Sequence, residues 1–210
     1  MRKAVWLVLF AVALALPIDL IAQVDLSRAT YISVEQWRDT VNALPGVDRQ
    51  IVSQDIGALN MSVGIIHRNA TTGSTDPGEP APADMRCGVS SGNPSGARGI
   101  AHDHQTETYI IVSGSGTLIT GGQIQNGSTF APDSPVVTTL NGPSCSGLIV
   151  GDVQRRHVVV GDIVIIPAGV PHGWANVDRH VDYLSVPPNP DRVLPEDYLP
   201  VSYTHLTMPT

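Results

Sequence analysis

Clustered positive charge is what this 210-residue sequence most lacks. Its 12 Lys and Arg stand against 19 Asp and Glu, for a net charge of −7. Basic residues adjoin only at Arg2-Lys3 and Arg155-Arg156. Neutralising a nucleic-acid backbone takes clustered Lys and Arg, so no nucleic-acid partner is expected. Long apolar runs are missing too. The run AVWLVLFAVALAL near the N-terminus is too short to span a bilayer comfortably. No GxSxG elbow, HExxH helix, phosphate-binding P-loop or dinucleotide fingerprint is present. Asp133 and Ser134 have no histidine placed beside them, which leaves a hydrolase triad without support. Only 15% of the residues are charged and 42% are hydrophobic. That balance excludes global disorder and supplies a real core.

The ends are set apart from the fold. MRK, the short apolar run and Ala22 before Gln23 read as a signal peptide over residues 1–22, and as a secreted or periplasmic bacterial protein with no membrane association after cleavage. In that compartment the two cysteines, Cys87 and Cys145, either form one disulfide or stay as free thiols too far apart to bridge. Residues 201–210, within PVSYTHLTMPT, resemble a translated sequencing adaptor. Residues 191–200 are a C-terminal extension, and 23–60 hold a helix and a lead-in. The main domain is expected over 61–190.

Within 30–44, Ser33 and Gln36 form a capping-box pattern. Val34, Trp37, Val41 and Leu44 share one helical face, and Pro45-Gly46 ends the helix. From there the pattern is all-β. Short Val-, Ile-, Thr- and Tyr-rich segments are expected as strands at 61–68, 98–104, 107–114, 115–120, 147–150, 153–160, 162–167, 171–177 and 180–186, separated by Gly and Pro turns. Regular short strands of this kind make a sandwich or barrel. Residues 69–96 and 121–146 are polar and turn-forming, and are expected as surface insertions.

Two segments carry the chemistry. In AHDHQTETYIIVSG (101–114), His102 and His104 are two residues apart, so on a strand both imidazoles face one side. In GDIVIIPAGVPHGWAN (161–176), Pro167-Ala168-Gly169 reverses the chain and His172 begins the next strand. Three histidines and Glu107, with coordination positions left open, suit a catalytic metal site better than a closed structural one. A solvated polar loop would account for HxH standing alone. By parity Tyr109 shares the Glu107 face and Trp174 the His172 face, as pocket walls or as packing. Arg98 reads as an anion contact or a surface ion pair. His67, His157 and His180 have no partners at recognisable spacing.

The sequence resembles the cupin superfamily. Gly161, Pro167, Gly169, His172 and Asn176 match the second cupin motif, G(X)5PXG(X)2H(X)3N, at every position. Gly96, His102, His104, Glu107 and Gly114 follow the first, G(X)5HXH(X)3-4E(X)6G, but with only two residues between His104 and Glu107. The resemblance covers roughly residues 95–187. It implies a β-barrel of two antiparallel sheets (a double-stranded β-helix, or jelly roll), open at one end and often dimeric. It also implies a divalent transition metal (Fe, Mn, Ni, Cu, Co or Zn) on His102, His104, Glu107 and His172. The activity to expect is a metal-dependent oxygenase or isomerase acting on a small organic molecule, with Glu107 as ligand or proton carrier. The alternative is a barrel that binds a sugar or organic acid without turnover.

Overall fold

The computed structural model describes residues 29–43, 48–72, 87 and 97–192. The signal-like segment, Leu44-Pro45-Gly46, Gly96 and the C-terminal tail lie outside the described residues. No described helix is long and apolar enough to cross a membrane.

Helix α1 (Val34–Ala43) starts at the expected box. Ser33 N–H donates to Gln36 Oε1 at 2.7 Å, and Gln36 N–H to Ser33 Oγ at 3.2 Å. The helix lies against β1 and β2. Its apolar face is only partly covered, since Val34 keeps 39% of its surface exposed.

Eight strands follow: β1 (Asp48–Asp55), β2 (Asn60–Thr72), β3 (Arg98–His102), β4 (Glu107–Thr129), β5 (Ser144–Val159), β6 (Ile163–Ile166), β7 (His172–Ser185) and β8 (Pro188–Asn189). All pairings are antiparallel, in the order β1-β2-β7-β3-β5-β4-β6, with β7 also pairing β4. The circuit β7–β3–β5–β4–β7 closes the barrel. The two expected sheets are thus joined into one continuous network.

Several expected strand breaks are bends instead. Strand β4 runs on through glycines whose sequence context reads as turns. Gly114 and Gly121 have φ of 69° and 90° and sit at register shifts. Glycine lets the strand coil around the barrel there without ending it. The 121–146 segment is therefore strand as far as Thr129 and again from Ser144, with a π-helical turn at Val136–Asn141 between them. Strand β1 lies where the sequence pattern reads only as a lead-in to the barrel. Its sequence, DRQIVSQD, is poor in strand formers, and its pairing with β2 supplies what propensity does not.

Along β4 burial alternates, so Glu107, Tyr109 and Ile111 point inward while Thr108 and Ile110 are only partly covered. Ile66, Ile111, Leu118, Val158, Ile166, Val177 and Val181 pack with Tyr109 and Tyr183 into one core cluster. That cluster forms the floor on which the polar site rests.

Candidate metal centre

Three strand ends converge. His102 closes β3, Glu107 opens β4 and His172 opens β7. The reverse turn at 167–170, where Val170 N–H donates to the Pro167 carbonyl at 3.1 Å, aims His172 inward. Gly169 supplies its φ of 79°. This turn docks on the other segment. Gly169 N–H donates to the His102 carbonyl at 2.7 Å, and Ala168 N–H to Thr106 Oγ1 at 3.3 Å.

Glu107 Oε2 lies 3.3 Å from His102 Nε2 and 3.0 Å from His172 Nε2. All three residues are buried, with 3–4% of their surface exposed. Ligand atoms from the three lie within 4.8 Å of one another, the only such group among the described residues. The tautomers follow from the surroundings. Ser144 gives its hydroxyl proton to the Gly142 carbonyl at 2.9 Å. Its Oγ therefore accepts from His102 Nδ1–H at 2.8 Å. His172 Nδ1–H donates to the Val170 carbonyl at 2.9 Å. In the neutral rings both Nε2 atoms then carry lone pairs. The short approach of His172 Nε2 to Oε2 does not have hydrogen-bond geometry, and this buried nitrogen has no partner.

Burial alone would raise the Glu107 pKa; where the two facing Nε2 atoms carry protons instead of lone pairs, their hydrogen bonds and charge outweigh it and hold the carboxyl well below the usual range. Tyr109 O–H donates to Oε2 at 2.7 Å and Ser185 Oγ–H to Oε1 at 3.0 Å. Burial, followed by the Glu107 charge, pushes the Tyr109 phenol well up, so it stays a donor. A carboxylate and two imidazole lone pairs thus point at one buried spot. Such a set repels itself unless a cation sits among its members, and its donors fit a divalent transition metal.

No family model and no curated protein matches the chain. Solved structures do. A structure of the DMSP lyase DddQ from Ruegeria pomeroyi DSS-3 is 14% identical with a TM-score of 0.32, covering 67% of this chain and 47% of that one. This chain therefore spans about half of that protein's length. BH2720 from Bacillus halodurans is 13% identical, TM-score 0.39, over 80% of this chain and 86% of that one. An uncharacterized conserved protein with a double-stranded beta-helix domain from Klebsiella pneumoniae is 16% identical, TM-score 0.38, over 78% and 93%. In the present chain, one closed antiparallel barrel brings both motif segments to a common centre. The fold is a cupin barrel.

The cupin register, however, differs from the one expected at His104. Strand β3 ends at His102, and residues 103–106 form a turn, so strand parity does not carry on to His104. The His104 side chain is 49% exposed and lies 3.2 Å from Asp191. It is outside the cluster. Four residues separate His102 from Glu107, a spacing the first cupin motif allows. At that spacing it is His102, not His104, that meets Glu107, and Ile100, two positions earlier, lines the same cavity. The expected four-residue set is in this structure a set of two histidines and one carboxylate.

A cavity of about 520 Å³ opens onto the cluster, with Tyr109, Trp174 and Tyr183 on its wall. Tyr109 meets the His172 ring edge-on, 6.0 Å between centroids. Trp174 Nε1–H donates to Tyr183 OH at 3.3 Å. Asn176 donates to Asp178 at 3.1 Å, a local turn contact. Arg98 is exposed at the cavity rim. His67 and His180 are tied to Asp182 at 2.6 Å and Ser113 at 2.8 Å, and His157 is half exposed. Ser144 and Ser185, which orient the cluster, carried no local sequence signal. Only strand pairing brings them in, as with Ser144 opposite His102.

Ser144 makes the site testable without touching a ligand. Ser144→Ala frees His102 Nδ1 and unlocks its tautomer. Metal affinity is expected to fall roughly 10–100-fold, the usual cost of losing such an orienting partner. Titration calorimetry against Ni or Zn would measure it, with circular dichroism to confirm the barrel. Unchanged affinity would show that Ser144 does not orient the ligand.

Proposed function

We propose that this cupin is a metal-dependent enzyme, of oxygenase or isomerase type, acting on a small organic molecule. One observation carries the proposal. Both imidazoles have Nδ1 committed to outside partners, which leaves two Nε2 lone pairs and the Glu107 carboxylate directed at one buried point. His102, Glu107 and His172 would hold the metal. Two histidines and one carboxylate leave open positions, the pattern of non-haem iron sites. A bound metal supplies Lewis acidity or a site for a small co-reactant.

The chain's own groups do the rest. Ser144 and the Val170 carbonyl fix the two tautomers. Tyr109 and Ser185 hold both Glu107 oxygens and so set the plane of the carboxylate. With Tyr109 and Ser185 already donating to both of its oxygens, Glu107 is placed as a ligand rather than as a proton carrier. The cavity seats the substrate beside Trp174 and Tyr109 and restricts water. Export through residues 1–22 belongs to the same proposal and agrees with the disulfide described below.

Elemental analysis of untagged protein, purified without added metal, tests this reading. Stoichiometric Fe, Mn, Ni, Cu, Co or Zn is expected, and loss of it in His172→Ala. Protein that purifies empty and takes up none of the six sinks the proposal.

A further inference from the structure

The cavity over the metal cluster is positively charged in an acidic chain. Arg49, Arg68 and Arg98 line it, against the carboxylates of Asp48 and Glu107. These are three of only 12 Lys and Arg in a protein of net charge −7. A divalent ion at Glu107 would add to the imbalance. Asp48 is already taken. Arg68 Nη1 reaches its Oδ1 at 2.7 Å and Nη2 its Oδ2 at 3.4 Å.

Arg49 has no carboxylate partner among the described residues. Its Nη1 donates to the Asp48 main-chain carbonyl at 2.7 Å, which anchors the head group. Its Nε is buried without an acceptor. Next to it Gln50 is 94% buried (6% exposed), and its Nε2 also finds no acceptor. Arg98 makes no ion pair among the described residues. The unmet groups on this side of the cavity are therefore mostly donors, and the unmet charge is positive.

We propose that the cavity takes a small organic carboxylate, its anionic end held by Arg49 with Arg98 at the rim. The inference rests on the metal-enzyme reading and names the substrate class of that site. The planar guanidinium matches a carboxylate's two oxygens. Its pull is stronger in a partly enclosed cavity than in water. A cationic substrate would be repelled by the same wall. Trp174 and Tyr183 offer apolar surface to the rest of the molecule.

Calorimetry on metal-loaded protein, with benzoate, its neutral isostere benzamide and inorganic phosphate as probes, tests the proposal. Benzoate should bind at least about 10-fold more tightly than benzamide, and Arg49→Met should cost benzoate roughly 10–100-fold, the worth of a charge-assisted hydrogen bond. Arg49→Lys should recover part of the loss. Metal content, read by elemental analysis, should be the same in all three proteins. Equal affinity for benzoate and benzamide overturns the proposal, and that comparison needs no variant to fold. Undiminished benzoate binding in Arg49→Met also overturns it. Phosphate binding through Arg49 without benzoate binding overturns the carboxylate assignment in favour of a phosphate ester. If the protein holds no metal yet binds benzoate through Arg49, the metal-enzyme reading fails and the anion site stands.

Discussion

His102→Ala is expected to lose metal binding by more than about 100-fold, while His104→Ala binds as the parent does. The two residues are two apart and of one type, so the contrast isolates geometry from composition. His102 is 3% exposed, and its Nε2 is 3.3 Å from the Glu107 carboxylate. The His104 imidazole is half exposed, beside Asp191 on the surface. Removing a residue that merely orients a ligand costs roughly 10–100-fold in affinity, and removing the ligand itself costs more. Leaving Glu107 and His172 alone also strands a buried carboxylate with one less partner. Competition titration against a chromogenic chelator would read both variants. Equal losses would mean that His104 swings in to join the metal, and the two-histidine, one-carboxylate assignment would be wrong.

The second large effect concerns stability. Cys87 and Cys145 form a disulfide, with Cα atoms 5.6 Å apart, so the open choice between bridge and free thiols resolves as a bridge. It closes a chain segment with a sequence separation of 58. A loop of that length, cross-linked, removes chain entropy from the unfolded state worth about 4 kcal/mol. The double variant Cys87→Ser, Cys145→Ser should lose about that much in urea unfolding, and its midpoint of thermal unfolding should drop by roughly 8–16 °C. The bond also bears on the site. Cys145 pairs with Ala101, and its neighbour Ser144 pairs with His102. Metal affinity should therefore fall in the same variant, by less than in Ser144→Ala. A double variant as stable as the parent would show that the bridge constrains nothing that matters to folding.

Sequence and structure agree where local chemistry decides. Pro167, Gly169 and His172 work because proline, a positive-φ glycine and a strand start are all set within a few residues. The capping box at Ser33 and Gln36 is local in the same sense and formed as written. Alternation along 107–111 was also enough to put Glu107 and Tyr109 on one face.

The differences arise where an element's end matters. Strand parity relates His102 to His104 only if the strand continues, and nothing in HDHQT says that it stops at His102. Glycines in β4 have the composition of turns, yet they bend a strand whose partners on both sides keep it going. Strand β1 has little propensity of its own and exists through its pairing with β2.

By itself, the sequence pattern determined an all-β sandwich or barrel, a histidine delivered inward by a tight turn, and a second polar segment to meet it. Those follow from period-two alternation and turn chemistry, which act over a few residues. Tertiary structure alone decided which of two neighbouring histidines turns inward, that Ser144 and Ser185 orient the cluster, that Cys87 reaches Cys145, and that Arg49 faces the same cavity. Each depends on contacts between segments tens of residues apart, and these are set by strand register and barrel closure, not by local pattern.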